Sequence, residues 1–267
     1  MEHAVVSREE WLEARKALLA KEKALTRQRD AVSRERQALP WVEVGKEYVL
    51  ESPDGPVTLS ELFDGRSQLL VYHFMFGPGW KEGCPGCSFL SDHVDGARQH
   101  FEHHDVSYVA VSRAPIDQIQ HFQQRMGWGF RWVSSFESDF NFDYRVSFTP
   151  EQIAAGEAEY NFQMSPVHGE EAPGLSAFYK NESGRIFHTY STYARGGEAL
   201  LGTYGFLDFA PLGRNETGDM GNWMRHHDRY EDTRPAAKFT SGDDSSVTSA
   251  SIKSAVKTEA CCESETR

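Results

Sequence analysis

The four cysteines of this chain fall into two close pairs, Cys84/Cys87 and Cys261/Cys262. That is no disulfide framework, and close pairs in a reducing compartment point to redox or metal chemistry. The run Gly83-Cys84-Pro85-Gly86-Cys87 carries the sharper signal. With Cys84 at a helix N-cap, Pro85 takes the first helical position, where its missing N–H costs nothing. Cys87 then lies one turn inside on the same face, within reach of a disulfide. The unpaired N–H groups at the helix start stabilise a thiolate at Cys84, and such placement brings a thiol pKa from ~8.5 down to roughly 3.5–7.5. Cys84 is therefore the attacking sulfur, and Cys87 resolves the mixed disulfide. Lys81 adds positive charge beside this mouth and Glu82 opposes it.

The same thiols suit a soft metal ion, copper or zinc, if imidazole or thioether joins them. Strand alternation puts His73 and Met75 on one face ahead of the pair, and His93 follows two turns into the helix. No second C-x-x-C completes a zinc site. His100, His103 and His104, and likewise His226 and His227, read as solvated surface. The aromatics Trp128, Phe130, Trp132, Phe136, Phe140, Phe142, Tyr144 and Phe148 fall an even number of residues apart. Core packing is their default role; the sharper alternative makes Trp132 and Phe142 a substrate platform over the dithiol. Arg113 follows an apolar strand, near the carboxyl edge where α/β sheets bind ligands.

Positioning the thiols falls to the elements around them. Ser7 and Glu10 form a capping box, strong helix formers follow to Leu39, and Pro40 ends the run. Trp11, Leu18, Leu25, Val32 and Leu39 recur every seven residues, but Arg15, Glu22, Arg29 and Arg36 occupy the companion positions. The result is a narrow apolar stripe that would dock on the body or on a second copy of the chain. Gln68–Phe76 and Val106–Ser112 are near-continuous apolar runs, as in strands buried on both faces. A helix over Cys84–His104 separates them. Pro115–Met126 is a helix closed by Gly127, and Gly129–Val133 a short strand. An irregular aromatic stretch runs to about Glu171. Leu175–Tyr179 and Ile186–Tyr190 make a hairpin around Asn181–Gly184, and a helix covers Gly196–Phe209.

The order β-α-β-α-β-β-α is an α/β layout, that of a thioredoxin-like core: a central mixed sheet flanked by helices, with an N-terminal helical extension. In that layout the proline before the hairpin, Pro173, faces the thiols and contacts substrate; the layout predicts a cis bond there, with an ordinary trans turn proline as the alternative. The division is a helix over 1–40, a thioredoxin-like domain over 41–230, and a disordered Ser/Thr-rich tail over 231–267. The tail holds Cys261 and Cys262, which read as surface cysteines.

The 267 residues hold 28 Lys+Arg against 40 Asp+Glu, a net charge of −12. Such acidity disfavours nucleic acid and anionic membrane as partners. No apolar run reaches the ~18 residues of a membrane span, and no basic-then-apolar leader opens the chain. The expectation is a cytoplasmic protein without a bound cofactor.

The blocks LLVYHFMFGPGWKEGCPGCSFLSDHVDG, VAVSRAP, RMGWGFRWVSSFESDFNFDY, EAPGLSAFY and FHTYSTYARGGE resemble the DUF899 family of thioredoxin-like proteins. So do REEWLEARKALLAKEKALTRQRD and PWVEVGKEYVL, and the likeness runs from about Ser7 to Tyr230. The resemblance implies a dithiol–disulfide oxidoreductase related in fold to thioredoxins and peroxiredoxins, acting on a protein or small-molecule disulfide or thiol, with Cys84 and Cys87 as its redox pair. A thiol peroxidase is the neighbouring alternative. The peroxiredoxin pattern P-x-x-x-T-x-x-C is not met, since Lys81 stands at the Thr position and Pro78 is one residue too close.

Overall fold

The computed structural model describes residues 3–167, 169–216 and 223–230. The expected tail over 231–267, with Cys261 and Cys262, lies outside them.

Helix α1 (Arg8–Gln37) begins at its capping box: the Glu10 N–H donates to Ser7 Oγ, and the Ser7 N–H to Glu10 Oε2. None of its residues is buried, so the stripe does not dock on the body as one of the two expectations had it. Its charged companions Arg15 and Glu22 pair with each other at 2.9 Å, and near its end Arg36 stacks over Tyr190.

Short strands follow: β1 (Val42–Glu43), β2 (Val49–Ser52) and β3 (Gly55–Thr58). A 3-10 turn at Glu61–Phe63 fully buries Leu62 and Phe63, each contributing about 2–3 kcal/mol of hydrophobic stabilisation. Strand β4 (Gln68–His73) leads to α2 (Pro85–Ser91), α3 (Val94–His103) and β5 (Val106–Ser112). The single helix expected over 84–104 is broken at Asp92–His93. Tertiary partners hold both side chains there: Asp92 Oδ1 accepts from Trp128 Nε1, and His93 Nε2 accepts the Thr203 N–H. Helix α4 (Ile116–Met126) buries Ile119, Phe122 and Met126 along one face and stops at Gly127, whose φ of 67° suits glycine. Then come β6 (Arg131–Ser134), α5 (Phe140–Asp143), α6 (Pro150–Ala155), the hairpin β7 (Glu157–Tyr160) and β8 (Gln163–Pro166), β9 (Gly174–Lys180), β10 (Ile186–Tyr193) and α7 (Gly202–Phe209).

Eight strands form one sheet in the order β1-β10-β9-β4-β5-β6-β2-β3. Strands β4, β5 and β6 are parallel, β9 lies antiparallel beside β4, and β10 pairs antiparallel with β9. The chain therefore has the thioredoxin-like arrangement, with α2 and α3 as the crossover. Apolar residues of β4 and β5 divide between two cores. One holds Tyr72, Tyr108 and Ala110 with Phe122 and Trp132, on the side of Cys87; the other holds Val71, Val109 and Val111 with Phe63 and Phe140. Among the described residues no helix is long and apolar enough to cross a membrane.

Candidate active site

Beyond His73 the chain leaves the sheet but stays tied to it. The Phe74 N–H donates to Val111 O, and the Ala114 N–H to Phe76 O. The loop then returns, and the Cys84 N–H donates to Met75 O at 3.0 Å. Gly83 makes this return feasible: a Cβ there would lie 2.5 Å from the Phe74 ring and 2.8 Å from that of Phe122. Cys84 is the N-cap of α2 with Pro85 behind it, and its carbonyl accepts from both the N–H and the Oγ of Ser88.

The two thiols differ in surroundings. Cys84 is partly exposed and Cys87 is buried. The Cys87 S–H directed at Cys84 Sγ, helped by the backbone N–H groups of Cys87 and Gly86, lowers the Cys84 thiol to about 6 against the opposing effect of burial. Burial pushes Cys87 well above the ordinary range, reinforced by the neighbouring Cys84. Cys87 Sγ accepts the Met75 N–H at 3.5 Å. The buried phenol of Tyr72 beside Cys87 works against that rise. Its own ionisation is pushed up by burial and then by Cys87.

Above Cys84 opens an apolar cavity of about 370 Å3, walled by Met75, Leu90, Leu175, Leu201 and Met224 and bounded by Pro173. Pro173 thus stands where the sequence reading wanted it, but its peptide bond is trans, since no cis bond occurs among the described residues. The approach to Pro173 is already extended: the Ala172 N–H donates to Val146 O and Ser147 bridges Glu171. Gly174 is in ladder register with His73 and Tyr193. Tyr160 Oη donates to Pro173 O at 2.7 Å and accepts the Ala194 N–H, fixing both walls at once.

Other candidates lie elsewhere. Trp132 is 2% exposed, packs at a tilt against Phe74 and donates to Ser112 Oγ, so it is core and presents no face to a substrate. Arg113 pairs with Glu171 at 2.9 Å and lies over the Phe142 ring, outside the thiol cavity. Burial lifts Glu171 to about 7, against Ser147 and Arg113.

The metal set is not assembled. His73 packs on Phe140 and Tyr144 and meets Ser176 through Nε2, whereas Met75 packs into the core of Cys87. Strand alternation ends with β4 at His73, so it does not carry Met75 to the same face. Burial lowers His73 to about 3. The His93 Nε2 lone pair is spent on the Thr203 N–H. Among the described residues no three His, Cys, Asp or Glu side chains are grouped to hold a metal.

His226 was missed by sequence reasoning. It is buried rather than solvated, with Nε2 2.8 Å from the Gly83 carbonyl beside Cys84 and its ring edge-on to Phe122. Burial acts to raise the Glu82 carboxyl, but Arg229 and Arg125 outweigh it and hold Glu82 below its usual range. The charge at Glu82 is thus paired rather than set against Cys84.

A model of the family described as a bacterial protein of unknown function, DUF899, matches residues 1–230. No curated protein matches. Among solved structures, the peroxidoxin BcpB of Mycobacterium tuberculosis is similar at 14% identity and a TM-score of 0.40, over 62% of this chain and 95% of that one. A mutant of Xanthomonas campestris peroxiredoxin Q is similar at 15% identity and a TM-score of 0.39, over 60% and 90%. A hypothetical protein of Sinorhizobium meliloti 1021 is similar at 13% identity and a TM-score of 0.35, over 55% and 68%.

Proposed function

The chain belongs to the DUF899 family, and we propose that this member is a thioredoxin-like dithiol–disulfide oxidoreductase. The observation that carries the reading is the inequality of the thiol pair. One sulfur is partly exposed at a cavity and lowered to about 6; the other is buried beneath it and held protonated. That is the division of labour exchange requires, because the thiolate is the attacking form.

Cys84 thiolate attacks one sulfur of a disulfide R–S–S–R; a bond forms from Cys84 to S–R, and the other half leaves as thiolate. Cys87 then gives up its proton and attacks Cys84 Sγ. The second thiolate departs, and the pair ends as a Cys84–Cys87 disulfide. Two electrons have passed from protein to substrate; the Cys87 proton goes to one departing thiolate, and the other takes from solvent the proton that Cys84 gave up on ionising. An external dithiol restores the reduced pair. The phenol of Tyr72, which favours the ionised form of Cys87, would steady its sulfur as the proton leaves.

The test is a pair of serine variants mixed with a disulfide in single turnover. Cys84→Ser should lose exchange altogether. Cys87→Ser should stop after the first step and accumulate a mixed disulfide detectable as added mass. Retained exchange in Cys84→Ser would overturn the reading. A rate with hydroperoxides at least tenfold above that with disulfides would replace it with a thiol peroxidase.

A further inference from the structure

We propose that the substrate is a small disulfide with two apolar arms, rather than a disulfide displayed on a folded protein; this rests on the exchange reading above. Cys84 stands in a cavity, not on an open face. The cavity's volume of about 370 Å3 lies within the range of small-molecule sites. Its outer walls come from chain added around the central strands: the 3-10 segment Ala194–Leu200 with Leu201, and Met224 from the final described stretch. These walls are braced. Tyr160 holds Ala194, Glu198 is paired with Arg195 and Arg214, and Trp223 packs edge-on against Phe89. A folded partner bearing a disulfide would have to pass this rim to reach the sulfur.

A second cavity of about 500 Å3 shares Met75, Pro173 and Ala194 with the first. Trp80, Phe148 and Val167 line it. Two cavities meeting at Pro173 match a molecule with two arms joined at sulfur, one arm in each. Charge argues for hydrocarbon character in both. On the first wall Arg195 and Arg214 share Glu198, and Asp208 pairs Arg214 in turn, so two cations meet two carboxylates. In the second, the Glu171 oxygens are taken by Arg113 and Ser147. A charged arm, as in cystine, would lose its hydration without gaining a counter-ion there.

The disulfide is reduced to two thiols, the Cys84–Cys87 pair is oxidised, and an external dithiol resets it. The experiment uses the reduced full-length chain freed of reductant. It compares second-order rate constants for di-n-butyl disulfide, cystine and insulin, read as loss of protein thiol. We expect di-n-butyl disulfide to react at least tenfold faster than either of the others. Leu200→Trp and Val167→Trp, each at a partly exposed wall position, narrow one cavity apiece. Each should cut the di-n-butyl rate at least fivefold while leaving alkylation of Cys84 by iodoacetamide unchanged. Insulin or cystine reacting as fast as the apolar probe, or both tryptophan variants keeping the wild-type ratio, would overturn the inference and leave the exchange reading standing. If none of the three oxidises the pair, the exchange reading itself falls, and this inference with it.

Discussion

Helices α1 and α2 are opposites. The first runs for 30 residues with none buried; the second has 7, of which Cys87, Ser88, Phe89, Leu90 and Ser91 are buried. An isolated helix shorter than about 12–15 residues is marginal in water, so α2 exists because its surroundings hold it. Phe89 meets Tyr204 and Trp223, Leu90 enters the core, and the Gly83 carbonyl before it is fixed by His226. Helix α1 is sustained by its capping box and its residue types. The chemistry-bearing thiols sit on the helix that tertiary contacts define, where two sulfurs of the same residue type acquire opposite acidities.

Those opposite acidities are open to direct measurement. A Cys84 thiol lowered to about 6 is half thiolate near pH 6, and its reactive fraction is nearly complete above about 7. Its alkylation rate by iodoacetamide should therefore rise through pH 6 and level off. An ordinary thiol would still be climbing near ~8.5. At pH 6 this places Cys84 about tenfold above a free cysteine once the lower nucleophilicity of an acidic thiol is allowed for. Cys87 should stay unlabelled over the same range. A midpoint above 8 for Cys84, followed by mass spectrometry of the labelled peptide, would remove the asymmetry.

The next effect is on folding. If α2 depends on its entry, one methyl group at Gly83 should be costly, because the new Cβ meets two buried rings. Overpacking of this kind costs about 1–3 kcal/mol, and we expect Gly83→Ala near ~3 kcal/mol in urea unfolding. Gly96→Ala in α3 is the control: nothing lies within 4 Å of the added Cβ, and relief of glycine's backbone entropy should stabilise by about 0.5–1 kcal/mol. Equal responses at the two positions would show that α2 is not pinned at its mouth.

What was legible in the sequence follows from the range of each interaction. The central strands announced themselves because β4 and β5 are apolar on both faces. The capping box, Pro85 and Gly127 mark their positions through contacts a few residues away. The hairpin β7–β8 was hidden: its residues are mostly exposed, and its turn places Asn161 and Phe162 at positive φ, with no glycine to signal it. Yet it carries Tyr160, which ties Pro173 to Ala194. His226 was illegible for another reason, since its partner is 143 residues away in sequence. The even spacing of the aromatics told that Trp132 alternates with neighbours but not that both of its sides are covered. The trans Pro173 likewise depends on the β9 register and the Val146 carbonyl, neither of which has a local mark.

The smallest expected effect lies at the other end of the comparison. Deleting residues 1–30 removes most of α1, including Trp11, Leu18 and Leu25, which are 45%, 50% and 61% exposed, while sparing Arg36 and its stack on Tyr190. The Arg15–Glu22 pair lost with it is exposed on both sides, and such pairs contribute about 0–1 kcal/mol at most. Surface changes of this kind fall within about 0.5 kcal/mol, so the urea midpoint of the remaining chain should hardly move, even as helical ellipticity falls. A loss above about 2 kcal/mol would mean that α1 is held by contacts beyond its own residues. Mass in solution then assigns them: a wild-type mass of two chains that drops to one on deletion places a second copy along the stripe. Helix α1 would in that case join α2 as an element defined by what surrounds it, and the contrast drawn between them would belong to the single chain alone.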